Sequence, residues 1–197
     1  LRKDPSLDVV ALLTTVTDEY NRVSMHGARF ELLQAQSDRL GIPLEVVRIP
    51  PDCVNEIYEK RMGDALAKYQ SQGVSQVAFG DIFLEDLRRY REEKLTGAQM
   101  TALFPIWKRD TQKLARYFVD AGFKAVVTCV DTEKLDGEFS GRVIDHAFLD
   151  ALPKGADPCG ENGEFHSFVY DGPIFKKPVS VERGDIVLRD ERFCYCD

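Results

Sequence analysis

Strand-like and helix-like segments alternate through the first two thirds of this chain, and the connections between successive strands run to ten residues or more. Crossovers that long do not make hairpins. They return the chain to the same edge direction, so the expected product is an open parallel sheet with helices on both faces. "LDVVALLTTV" (7–16) is a continuous apolar, β-branched run suited to a strand buried on both faces. "MHGARFELLQAQSDRLGIP" follows, with Phe30, Leu33, Ala35 and Leu40 at roughly helical spacing and Gly41 and Pro43 as stop signals. "LEVVRIP" is a second strand, and "NEIYEKRMGDALAKYQSQG" is a helix with Tyr58, Met62, Ala65, Leu66 and Tyr69 on one face. "SQVAFGD" is a third strand, "FLEDLRRYREEKL" a charged helix and "LFPIW" an apolar turn. "RDTQKLARYFVDAG" is a helix capped by Asp110 and closed by Gly122, and "FKAVVTCVD" is a fourth strand.

After about Gly137 the rhythm breaks. A short helix (145–152) leads to "GADPCGENGEFHSFVYDGP", and the rest reads as short antiparallel strands with turns. The fold class is therefore α/β with a small β-rich C-terminal lobe. With 197 residues, 44% of them hydrophobic, the chain is globular in composition, and no run of about 18 apolar residues suggests a membrane span. The net charge of -7, with acids and bases interspersed, argues against a duplex nucleic-acid binder. Five cysteines in a chain too large to need staples read as reduced thiols of a cytoplasmic protein. Cys194 and Cys196 share a strand face, but no CxxC pair completes a metal site.

Ligands of open parallel sheets collect at the carboxyl ends of the strands. Here those ends empty into "TDEYNRVSMHG", "FGDIFLEDLRR" and "TCVDTEKL". Gly80 permits close backbone approach, and Asp81 suits either a cation or ribose, or a plain helix cap. One of Arg88, Arg89 and Arg91 is expected to face the site, with Arg88 the candidate; the others belong to a solvated helix face. His26, near a helix start, is read either as an anion-side group or as a local cap, with Arg22 beside it. His146 is a surface residue. In "CGENGE", Gly160 and Gly163 flank Glu161, Asn162 and Glu164. Such a loop can aim backbone amides at an anion or carbonyl and offer carboxylates to a metal or amine. It can equally be a tight turn entering a hairpin, and spacing alone does not choose.

"FGDIFLEDLRRYRE", "LFPIW" with its following helix, and above all "GADPCGENGEFHSFVYDGPIF" resemble the diphthine–ammonia ligase family, within the PP-loop ATP pyrophosphatases of adenine-nucleotide α-hydrolase-like fold. The resemblance runs through nearly the whole chain in order. It implies ATP and Mg2+, adenylation of a carboxylate or amide oxygen of an acceptor (a small molecule or a modified protein residue), and attack by ammonia to give an amide and AMP. On this reading Glu161, Glu164 and His166 are the candidate catalytic residues, with Glu161 or Glu164 expected to hold the ammonium or take its proton. Cofactor contacts fall to Gly80, Asp81, Arg88, His26 and Arg22, with Asp81 on the metal, and acceptor contacts to Cys159, Asn162 and Gly163. On this basis residues 1–136 form the nucleotide domain and 137–197 the substrate lobe, and a homodimer is allowed. The family's Ser-Gly-Gly-x-Asp-Ser phosphate loop does not occur in these residues, and "LRKDPSLDVV" resembles the tail of the helix that follows it. The loop and the mid-sheet first strand are accordingly expected upstream. "EYNRVSMHG" resembles bacterial members, so the family fixes the chemistry better than the acceptor. The alternative is a non-catalytic adenine-nucleotide-binding module or sensor.

Overall fold

The computed structural model describes residues 1–24 and 26–197; Met25, within the loop expected after the first strand, lies outside the described residues. In chain order the elements are β1 (Leu12–Thr17), β2 (Arg22–Val23), α1 (Phe30–Leu40), β3 (Leu44–Ile49), α2 (Asn55–Gln70), β4 (Gln76–Ala78), α3 (Glu85–Gly97), β5 (Thr101–Leu103), α4 (Thr111–Asp120), β6 (Lys124–Asp131), a 3-10 turn (Gly137–Phe139), α5 (His146–Ala151), β7 (Phe165–Asp171), β8 (Ile186–Arg189) and β9 (Phe193–Cys196). The expected signals at Asp110 and Gly41 act as such, and Asp145 adds a further cap. Asp110 accepts from the Lys113 amide and Asp145 from the Phe148 amide, each satisfying an orphan donor of a helix start. Gly41 ends α1 in the left-handed region, taking its amide back to the carbonyls of Ser37 and Asp38.

The α/β class holds, with parallel pairing in the N-terminal part and a β-rich C-terminal part. β1 runs parallel to β3 and β4 parallel to β5, while β7-β6-β9-β8 form an antiparallel sheet. Three expectations about elements and pairing change. The strand 124–131, expected to continue the parallel rhythm, lies instead between β7 and β9 and pairs antiparallel with both. "LFPIW" is half strand, because Leu103 closes β5 before the chain turns. Residues 1–10, expected to include a helix tail, contain turns and extended backbone.

β1 is not buried on both faces: only Val16 is fully enclosed, and Leu12–Thr15 are half-buried. The two parallel pairs are not hydrogen-bonded to each other. A cavity of about 510 Å³ has both on its wall, lined by Leu13 of β1, by Val77 and Phe79 at β4, and by α2 and α3 side chains such as Met62 and Leu95.

The main core lies in the C-terminal part. Phe148 is fully buried and meets Phe139 and Phe165 edge-on, at ring-centroid distances of 5.6 and 5.5 Å, among Val127, Val130, Ile144 and Leu149. The cluster under β3 is smaller, built on Val47, Ile49 and Ala65. Phe148→Ala should cost about 3–5 kcal/mol in chemical denaturation. Leu13→Ala should cost below about 2 kcal/mol, because the cavity already deprives that side chain of neighbours. Equal costs would mean that the two parts are packed alike.

Candidate functional site

The segment from Asp157 to Glu164 is shaped by its own carboxylates. Glu164 is buried; Oε1 accepts from the Asp157 amide at 2.8 Å and from Asn162 Nδ2 at 3.1 Å, and Oε2 accepts from the Asn162 amide. Buried Asp157 accepts from the Glu161 amide at 2.9 Å. Gly160 and Gly163 both have positive φ, 70° and 79°. A β-carbon on Gly160 would come within 2.7 Å of the Phe165 carbonyl oxygen, so glycine there answers to both conformation and space.

This loop touches two of the strand-end segments, and His166, just beyond it in β7, touches the other. Glu161 reaches across to the third: its Oε1 accepts from the amides of Ile82 at 2.6 Å and Phe83 at 3.3 Å, just before α3. Lys134, in the segment after β6, donates to the Asn162 carbonyl at 2.6 Å. His166 packs its ring against His26, in the segment after β1, with centroids 4.3 Å apart. Thr128 Oγ1 lies within hydrogen-bond reach of both histidine carbonyls, tying the two backbones to β6.

The other expected residues are placed as follows. Asp81 is buried and paired with Arg91, Oδ2 lying 2.6 Å from Nε but off the N–H direction, so that this oxygen has no linear hydrogen bond. Arg91 also lies over the Phe79 ring. Arg88 is engaged elsewhere, with Glu92 and over the rings of Phe104 and Trp107; Arg89 pairs with Asp86 on the surface. Arg91, not Arg88, is therefore the arginine on Asp81. Arg22 is held by Asp197 and by the Gly27 carbonyl, in a clamp that includes Arg29. A β-carbon on Gly80 would meet nothing within 4 Å, so no close backbone approach within the chain demands glycine there. Cys159 turns its thiol toward the Thr111 carbonyl and packs on the main core, away from Asn162 and Gly163. His146 pairs with Asp120 on the surface.

The electrostatics follow from burial. Desolvation first, then His26 and Lys134, push the His166 imidazole down to about 4. His26 is lowered by burial, not by a helix start: α1 begins only at Phe30. Both rings are thus neutral near pH 7. Burial, with Asp157 and Glu161 nearby, pushes the Cys159 thiol up to about 12. Among the described residues no group of three or more His, Cys, Asp or Glu side chains is arranged to hold a metal. Sequence reading missed Asp157 and Lys134. It had Arg91 among three arginine candidates but preferred Arg88, which shares its helical face three residues earlier.

Residues 110–196 match the family described as the diphthamide synthase C-terminal domain. The chain is similar to proteins named diphthine–ammonia ligase. It is 27% identical to the human protein over 188 residues, which is 87% of this chain and 70% of that one. It is 28% identical to the bovine protein over 187 residues, with the same coverage. The mouse protein is 29% identical over 158 residues, 75% of this chain and 57% of that one.

A histidine whose folded pKa is depressed contributes stability above its unfolded pKa, and that stability is lost as pH falls. For His166 the window runs from about 6.5 down to about 4. Melting temperature should fall across that window in the wild type, and the slope should be shallower in His166→Asn. Parallel slopes would mean that the ring is not buried in its neutral form.

Proposed function

We propose, from the match of residues 110–196 to the diphthamide synthase C-terminal domain family and the similarity of most of the chain to diphthine–ammonia ligases, that it works in an ATP-dependent amide ligase. The acceptor's carboxylate attacks the α-phosphorus of ATP, giving an acyl adenylate and pyrophosphate. Ammonia then attacks the acyl carbon, AMP leaves and a proton is lost. Activation replaces a poor leaving group, oxide, with a good one, and the protein's part is chiefly to position the reactants and stabilise charge.

The observation that carries this reading is the convergence of one carboxylate-ordered loop and the start of β7 after it on three strand-end segments, through Glu161, Lys134 and His166. The division of labour is part of the proposal. Gly80, Asp81 and Arg91 face the nucleotide, the space beside Gly80 admitting a phosphate or ribose. Asn162, Gly163 and Lys134 face the acceptor, with the Lys134 ammonium suited to a developing oxyanion. Neutral His166, with His26 against it, offers the attacking amine a hydrogen-bond acceptor, and the proton is lost to solvent. Glu164 and Glu161 hold the loop in shape and act on the reaction through it. The N-terminal residues form the nucleotide part and the C-terminal lobe the acceptor part.

Magnesium enters this reading only with the nucleotide's phosphates. One carboxylate already paired to Arg91 is too small a donor set to hold the ion by itself, since Mg2+ takes near-octahedral oxygen coordination. No step is assigned to it.

The test is AMP and pyrophosphate release by the full-length protein with ATP, ammonium and a panel of carboxylic acids. Acceptor- and ammonium-dependent AMP is expected. ATP binding with no AMP under any acceptor would return the alternative, an adenine-nucleotide-binding module. Glu161→Ala should lower stability by about 1–3 kcal/mol, by leaving the Ile82 and Phe83 amides unpaired. It should also slow AMP formation by roughly 10²-fold, by misplacing the loop. Gly80→Ala should leave the melting temperature unchanged while weakening ATP binding; unchanged binding would remove Gly80 from the nucleotide side.

A further inference from the structure

β8 is an outer strand of the antiparallel sheet, paired with β9 on one side only. Its four residues are all exposed, and Ile186, Val187 and Leu188 are apolar in succession, at 42%, 41% and 57% exposure. Natural edge strands are ordinarily protected by charge, proline or a covering element. This one carries its charges just outside and at the end of the apolar run: Asp185 precedes it and Arg189 closes it. Among the described residues neither of these two side chains is in an ion pair, though Arg189 lies over the Tyr195 ring.

The backbone restricts what can pair there. The carbonyls of Asp185 and Arg189 point toward β9, accepting from the amides of Asp197 and Arg192. By alternation Val187 also points inward, and the free groups at the edge belong to Ile186 and Leu188. A second β8 pairing antiparallel about a two-fold axis must match outward residues with outward residues, so the axis passes through a residue and not between two. An axis at Ile186 sets Arg189 opposite Arg183 of the second copy. An axis at Leu188 sets Asp185 opposite Glu191. An axis at Val187 sets Ile186 opposite Leu188 twice, Val187 opposite itself, and Asp185 opposite Arg189 twice. Only the last register pairs apolar with apolar and acid with base.

We propose that β8 is a homodimer interface. Two copies join edge to edge about an axis at Val187, forming a continuous eight-stranded antiparallel sheet with two reciprocal Asp185–Arg189 pairs. The contact is isologous and therefore closes at two copies. It goes beyond the ligase reading and does not rest on it.

Four residues a side make a small interface. Sedimentation equilibrium should show the mass rising from one chain toward two between roughly 1 and 200 µM. Amide exchange at Ile186 and Leu188 should slow over the same range. Arg189→Asp, which sets like charges opposite each other twice, should weaken association about tenfold or more, and the swap D185R/R189D should bring it back. A wild type that stays monomeric at 200 µM overturns the proposal. So does a dimer indifferent to R189D, or one that the swap fails to restore, since each puts the contact elsewhere or in another register. Circular dichroism of each variant identifies any loss of association that comes from unfolding.

Discussion

Everything about the candidate site depends on the Glu161 carboxylate accepting the backbone amides of Ile82 and Phe83, residues 79 and 78 positions away in sequence. A charged acceptor on backbone donors makes a stronger bond than a neutral one. These amides belong to the segment entering α3, whose N-cap residue, Leu84, brings no side-chain cap of its own. The contact therefore joins the loop after β4 to the glycine-rich loop that leads into β7. Behind Glu161, Asp157 and Glu164 give the loop its shape, and Glu164 is fully occupied in doing so. The carboxylate density of "CGENGE" is in large part architecture, and Asn162 and Lys134 are bonded into the same network.

The two parts of the molecule are built differently. The C-terminal part has one continuous aromatic and aliphatic core centred on Phe148. The N-terminal part spreads its apolar side chains over smaller clusters and around the cavity between the parallel pairs. The loop 157–164 is tied to both parts, through Cys159 to the C-terminal core and through Glu161 to the segment after β4.

Features governed by local rules were legible in the sequence. The helices followed the apolar spacing, Asp110 caps as its position implied, and Gly41 ends α1. Pairing was not local and was not legible. "FKAVVTCVD" has the same continuous apolar run whether its neighbours are parallel or antiparallel, and its partners, β7 and β9, lie some 35 and 65 residues further on. The motif segment was legible as a glycine-rich, acidic turn. The direction of each carboxylate was not, because a loop without period gives no face. Arg88 and Arg91 share a helical face, so only the third dimension could say that one stacks on Phe104 and Trp107 while the other meets Asp81.

The position of Cys159 has a chemical consequence. Electrophiles and peroxide react with the thiolate, and a thiol pushed up to about 12 holds almost none at neutral pH. Its sulfur lies against the core at the start of α4, with Asp157 and Glu161 adding negative potential that further disfavours the anion. The cysteine that opens the motif is thus the wrong place to look for a redox switch or a covalent warhead. An inhibitor of this site would have to bind by shape and charge.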